Sequence, residues 1–149
     1  MGFRAHPQTR RPAHRHLRKA PAQRDVQRSV EVAGQYRRTE KNIGVDQVRI
    51  AADLRQLLDD ARFWVEHSTY PPDEIACRVK HRIVCIHCFA NGNGRHSRLL
   101  ADMMVQALGQ ALFTWGAYSE MPDVRERYFE ALRKADRGDV QALIAFARS

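Results

Sequence analysis

Residues 87–98 read HCFANGNGRHSR, and nearly every residue type in the stretch could do chemistry. His87 carries an imidazole whose ordinary pKa of about 6.5 lets it take a proton from a hydroxyl near neutral pH. Gly92 and Gly94 permit backbone with φ > 0 and close approach by another group. Successive N–H groups in such a turn can converge on an anion. A helix beginning at this turn would add its unpaired N–H groups and the positive end of its dipole. Arg95 and Arg98, three apart on that helix, can fork onto phosphate oxygens. Asn91 stands where a carboxylate would better serve a metal; its amide oxygen ligates a hard cation without adding charge. A glycine-rich turn alone is weak evidence, but this combination describes a diphosphate cradle with a base on its rim.

These side chains need helices to hold them. Asp46 is placed to cap VRIAADLRQLLDDARFWVEH, where Ile50, Leu54, Leu57, Leu58, Ala61 and Trp64 recur at helical spacing. Pro71-Pro72 ends that helix and starts another, with Asp73 and Glu74 in its first turn. Ile75, Ala76, Val79, Ile83, Val84 and Ile86 give this second helix a broad apolar face, as expected of a central, largely buried element. It runs into His87, and Phe89 is suited to anchor the turn in the core. The next helix, RHSRLLADMMVQALG, is expected to turn Leu99, Leu100, Met103, Met104, Ala107 and Leu108 inward and to end at Gly109. Pro122 and Gly138 bracket a further helix, and DVQALIAFARS forms a short last one. Residues 34–46, GQYRRTEKNIGVD, have glycines near both ends and read as an extended segment or loose hairpin. The fold class is therefore all-α, with one extended excursion.

Other groupings carry less. Cys85 and Cys88 form a C-x-x-C around His87, but zinc needs four ligands and Cys77 lies on the same helix. His67 and His81 read as capping or core histidines. The charges of Asp59, Asp60, Arg62 and Glu66 form an ordinary solvated face.

Composition sets the frame. The chain has 149 residues, 44% apolar and 28% charged, which is enough for one domain with one core. No apolar run approaches the roughly 20 residues of a membrane span, and no signal peptide is evident. Three cysteines fit a reducing, cytoplasmic setting better than a disulfide framework. Residues 1–28 supply +7 of the net charge of +8, so the basicity belongs to a tail and argues against nucleic-acid binding by the domain. That tail (Arg, His, Pro, Gln and Ala) has little to bury, and we set residues 1–30 apart as a disordered or non-native segment from a domain at 31–149. An out-of-frame translation of GC-rich DNA would give the same mixture; a nucleic-acid-binding arm would need stacking aromatics that it lacks.

HCFANGNGRHSR resembles the signature of the Fic family, H-x-F-x-D/E-G-N-G-R-x-x-R, matching at His87, Phe89, Gly92, Asn93, Gly94, Arg95 and Arg98. Residues 33–45, AGQYRRTEKNIGV, extend the resemblance, which is similar in style to the mobile mystery protein B branch. The resemblance implies a compact helical domain that transfers a nucleotide monophosphate, usually AMP from ATP, to a Ser, Thr or Tyr hydroxyl of a target protein. It makes His87 the general base, Gly92, Asn93 and Gly94 the phosphate cradle, and Arg95 and Arg98 the holders of the remaining phosphates. It makes Thr39, Glu40, Lys41, Asn42 and Ile43 part of a short hairpin-like flap that binds the target by strand-like pairing. Mg²⁺ is the implied metal, with Asn91 in place of the family's carboxylate. Cys88 replaces a common Pro, and no match to the inhibitory S/T-x-x-x-E-G/N motif is found, so restraint on Arg98 would come from another chain or a lost segment; the resemblance also implies a helix-turn-helix or antitoxin-like partner. Alternatives at the same site are transfer of phosphate or UMP, or a degenerate, non-catalytic member of a toxin–antitoxin-like pair.

Overall fold

Helical periodicity accounts for nearly all the regular structure in the computed structural model, which describes residues 35–117 and 122–149. Asp46 does cap a helix start, but of a 3-10 turn at Gln47–Arg49, its carboxylate accepting from the Val48 N–H at 3.0 Å. The five α-helices are α1 (Ile50–Glu66), α2 (Pro72–Ile86), α3 (Asn93–Ala107), α4 (Val124–Asp136) and α5 (Gln141–Ala147). Pro72 opens α2 where its missing N–H is not needed. Gly109, at φ 81°, follows the end of α3.

The apolar face of α2 makes it the central wall. One side packs Val79, Ile83 and Ile86 against Ile50, Leu57 and Ala61 of α1. The other packs Ala76 and Cys77 into a second cluster with Ala101 and Val105 of α3, Tyr128 of α4, and Leu143 and Phe146 of α5. Leu143 is fully buried, so truncating it to alanine would cost about 2–5 kcal/mol. Arg148 donates to both carboxylate oxygens of Asp73 and to the carbonyls of Ala111 and Leu112, tying the end of α5 to the start of α2.

Three expectations need correction. Leu58 is exposed: the inward stripe of α1 runs through Ile50, Leu57 and Ala61, and buried Asp53 fills the turn between. In α3 the inward stripe is Asn93, Ser97, Ala101 and Val105, whereas Leu99, Met103 and Ala107 face out. Small residues at every fourth position let α3 approach α2 closely, so packing distance overrides the larger apolar side chains in setting the helix phase. Finally, the expected hairpin does not form: residues 35–46 are extended and bent, with no strand among the described residues. In place of a strand ladder, Arg37 donates both to the Thr39 and Val45 carbonyls of the segment and to the Ile86 and His87 carbonyls at the end of α2.

Candidate active site

The last turn of α2 delivers His87 to the surface. His87 is the C-cap, with its N–H on the Ile83 carbonyl at 3.0 Å and its backbone left-handed at φ 55°, ψ 59°. Glycine usually holds such a position, because a Cβ there is crowded by about 1–2 kcal/mol. The imidazole is half-buried. Burial first, then the positive charges of Arg37 and Lys41, push its pKa below the ordinary value, against a smaller opposing hydrogen bond to the Val84 carbonyl. These surroundings favour the neutral imidazole, the form that can accept a proton.

After His87 the chain turns on two fixed points. Phe89 packs against the α1–α2 core and lies edge-on to His96, ring centroids 4.9 Å apart. Asn93 is buried, and its side chain grips Phe89 at both ends: Oδ1 accepts the Phe89 N–H at 2.9 Å and Nδ2 donates to the Phe89 carbonyl at 2.7 Å. Both ends of its amide are engaged inside the fold, so toward a ligand Asn93 offers its backbone N–H.

Gly92 is the N-cap of α3 at φ 80°, a left-handed position that suits glycine, and no side chain caps the helix there. The first intrahelical bond runs from the His96 N–H to the Gly92 carbonyl at 2.9 Å. The N–H groups of Asn93, Gly94 and Arg95 precede it and are left to whatever approaches. Gly94, unlike Gly92, is not left-handed; a Cβ added to it would meet nothing within 4 Å. Among the described residues nothing fills the space where the helix end is most positive.

The two arginines are not equivalent. Arg95 is exposed at this helix end. Arg98 turns inward, its guanidinium carbon 4.4 Å from the Tyr128 ring centroid and 5.7 Å from that of Trp115, on the wall of a surface pocket shared with Arg125 and Phe129. Its Nε is buried without a hydrogen-bond partner among the described residues. Beneath it, fully buried Lys80 donates to the Tyr128 hydroxyl at 2.6 Å. Burial, then the Arg98 charge, lowers the pKa of Lys80 to about 7. Two cations thus flank one phenol.

An uncapped helix end, open space at Gly94 and an orphaned guanidinium N–H fit a phosphate group. For a divalent cation the turn supplies one donor, the exposed Asn91 amide, and no carboxylate. Among the described residues the one grouping of metal-ligating side chains is His81, Cys85 and Asp136, outside the turn. Cys85 points there, while Cys88 is buried, so the C-x-x-C does not form a joint site.

Sequence reasoning missed Arg37. It is 4% exposed and binds the turn that carries His87, with Nε donating to the His87 carbonyl at 2.7 Å and its own N–H to the Cys88 carbonyl at 2.9 Å. The available signal was weak: one of two adjacent arginines in a polar segment. Of the expected flap residues, Thr39 joins this network through its carbonyl. Glu40 accepts the Gln47 N–H at 3.3 Å, and Lys41, Asn42 and Ile43 stand exposed.

A family model for the Fic/DOC family matches residues 11–105. The chain belongs to this family. The match begins inside the basic segment set apart above, which lies outside the described residues. Protein adenylyltransferase Fic from Drosophila melanogaster is 29% identical over 116 residues, covering 76% of this chain and 23% of its own. The same-named protein of Aedes aegypti is 26% identical over 116 residues, covering 76% of this chain and 22% of its own. The chain thus spans less than a quarter of the length of these curated relatives. Among solved structures, Fic-1 (residues 134–508) from C. elegans superposes with a TM-score of 0.65 at 24% identity, over 80% of this chain and 34% of that one. That likeness establishes the all-α Fic fold. No helix among the described residues is long and apolar enough to cross a membrane.

Proposed function

We propose that this Fic-family chain is a protein adenylyltransferase that moves AMP from ATP onto a target hydroxyl. The observation that carries the reading is the pairing, across one turn, of a neutral half-buried histidine with an uncapped helix N-terminus. His87 accepts the hydroxyl proton as the oxygen attacks the α-phosphorus. The bond to the β-phosphate oxygen breaks, and pyrophosphate leaves carrying the released charge. The N–H groups of Asn93, Gly94 and Arg95 hold the phosphates, and Arg95 and Arg98 neutralise the leaving group. Mg²⁺ would be held by Asn91 together with the nucleotide's own oxygens, and would supply further charge neutralisation. Residues 39–43, tethered beside His87, would meet the target segment. The names of the Drosophila and Aedes relatives support the same activity.

One observation favours a second reading. The turn lacks a carboxylate and Asn91 is exposed, an arrangement that would weaken metal holding and suits a different transfer or a nucleotide-binding module. Incubation with Mg²⁺ and ATP labelled at either the α- or the γ-phosphate separates the cases. Protein-bound α-label supports adenylyl transfer. Label from the γ-position alone supports phosphotransfer, and nucleotide binding without label supports the module.

A further inference from the structure

A guanidinium buried to 4% exposure ordinarily meets a carboxylate, but Arg37 meets none among the described residues; carbonyl oxygens surround it. Nε donates to His87 O at 2.7 Å, Nη1 to Thr39 O at 3.1 Å, and Nη2 to Val45 O and to Ile86 O at 3.5 Å. Two of these acceptors, Ile86 and His87, lie at the C-terminal end of α2, where carbonyls lack helical partners and the dipole is negative. The other two bracket residues 39–45. One planar fork therefore closes a helix end and both ends of a loop, a task suited to five fixed N–H donors.

Gly44 shows how close the two parts sit. A Cβ there would lie 2.7 Å from His87 Cβ, 2.9 Å from Arg37 Nη2 and 3.1 Å from the Ile86 carbonyl, and its φ of +100° already disfavours other residues. The Val45 N–H also reaches the Ile86 carbonyl, at 3.4 Å.

We propose that Arg37 is a positioning residue: it clamps residues 39–45 to the turn carrying His87, so that the surface meeting the target hydroxyl and the base that deprotonates it move as one body. This rests on the adenylyl-transfer reading for its purpose, though the clamp itself does not. The clamp also explains how a histidine is held at a left-handed cap. Hydrogen bonds to the carbonyls of residues 86 and 87 offset the local crowding and fix the direction of the ring. The charged groups facing His87 are Arg37 and Lys41, both from this segment, and both favour the neutral imidazole.

The test uses the full chain as wild type, Arg37→Met, Arg37→Lys and Gly44→Ala, with folding checked by circular dichroism. The His87 ring is titrated by NMR, and binding of a fluorescent ATP analogue and α-label transfer are measured in parallel. In Arg37→Met the His87 pKa rises by about 0.5 unit or more, and amides of residues 39–45 lose exchange protection. Nucleotide affinity stays within about twofold, while transfer falls roughly 10- to 100-fold, the cost of a small misplacement. Arg37→Lys keeps the charge and a low His87 pKa but loses most of the transfer rate, because one ammonium cannot span four carbonyls. Gly44→Ala, whose Cβ would push on both the His87 Cβ and Arg37 Nη2 while keeping the guanidinium's charge in the chain, reproduces the transfer loss and guards against an unfolded Arg37→Met. Unchanged His87 titration and amide protection in folded Arg37→Met, or full transfer in Arg37→Lys and Gly44→Ala, overturns the clamp. Absence of transfer in the wild type refutes the adenylyltransferase reading, and the NMR measurements still decide the clamp.

Discussion

At the end of α2, Arg37 fills the carbonyls of Ile86 and His87, its own N–H takes that of Cys88, and Gly44 presses against the His87 side chain. At the start of α3, six residues later, no side chain caps the helix, a Cβ at Gly94 would meet empty space, and Arg98 keeps an N–H without a partner. Two helix ends face one turn, and the chain seals one while leaving the other open. Buried polar groups are costly unless paired, so the unpaired Arg98 Nε beside a helix end with no capping side chain marks where something from outside can bind. The sealed end holds the base; the open end awaits the anion.

Substitutions should therefore divide by side. On the sealed side the largest effect is expected from His87→Ala. Transfer of α-label should fall by roughly 10²- to 10⁴-fold while affinity for ATP is kept, since general-base catalysis is lost and phosphate contacts are not. Transfer undiminished in this variant would remove His87 from the mechanism. On the open side the reverse pattern holds. Arg98→Gln should weaken ATP binding by roughly 10- to 100-fold, the worth of a lost charge-assisted hydrogen bond of about 1.5–3 kcal/mol. Equal affinity by isothermal titration would show that Arg98 serves only the packing of Tyr128.

The sequence reveals the open side more readily than the sealed one. Glycines, arginines and a helix start are local features, and HCFANGNGRHSR contains all of them within twelve residues. The helices were legible for the same reason, because periodicity is local. What depends on distant partners was not. Arg37 acquires its role only when α2 ends beside it, fifty residues away in the chain. The phase of α3 was misjudged because Leu99 and Met103 are more apolar than Ser97 and Ala101, yet only the small residues permit close approach to α2. The segment at 34–46 read as extended or as a loose hairpin; its described residues are extended, and the carbonyls of Thr39 and Val45 are drawn to one guanidinium.

Asn93 joins the two sides, so its substitution should disturb both moderately. Asn93→Ala breaks two hydrogen bonds and leaves the Phe89 N–H and carbonyl unpaired, at a cost of about 1–3 kcal/mol in urea unfolding. Asn93→Asp retains the acceptor and should lose less stability. Its negative charge at the helix start would nonetheless repel phosphate and weaken ATP binding. Similar losses of both properties in the two variants would mean that the amide has no separable structural role.

The smallest effect tests why the open side keeps two cations together. Lys80 is fully buried, and its pKa falls from 10.5 to about 7, through burial first and then the charge of Arg98. The folded chain therefore binds this proton less tightly than the unfolded chain. The cost of burying the charge is fully present below pH 7 and is relieved as pH rises toward 10.5, so stability should increase with pH across that window. Cys77, which burial pushes from 9.0 to about 12, contributes the opposite slope above pH 9. Between pH 7 and 9 Lys80 acts without that opposition, and the gain should reach a few kcal/mol at most. Lys80→Met should flatten this slope. A phosphate anion arriving at Arg98 would offset the repulsion and raise the pKa of Lys80, so ATP binding near pH 7 should take up a fraction of a proton. Titration calorimetry in buffers of different ionisation enthalpy reads that uptake directly, and Lys80→Met should abolish it. Proton uptake that survives the substitution would place the linkage elsewhere, with His87 as the next group to titrate. Its loss would show that the open end is tuned from below by a buried lysine, as the sealed end is held from the side by a buried arginine.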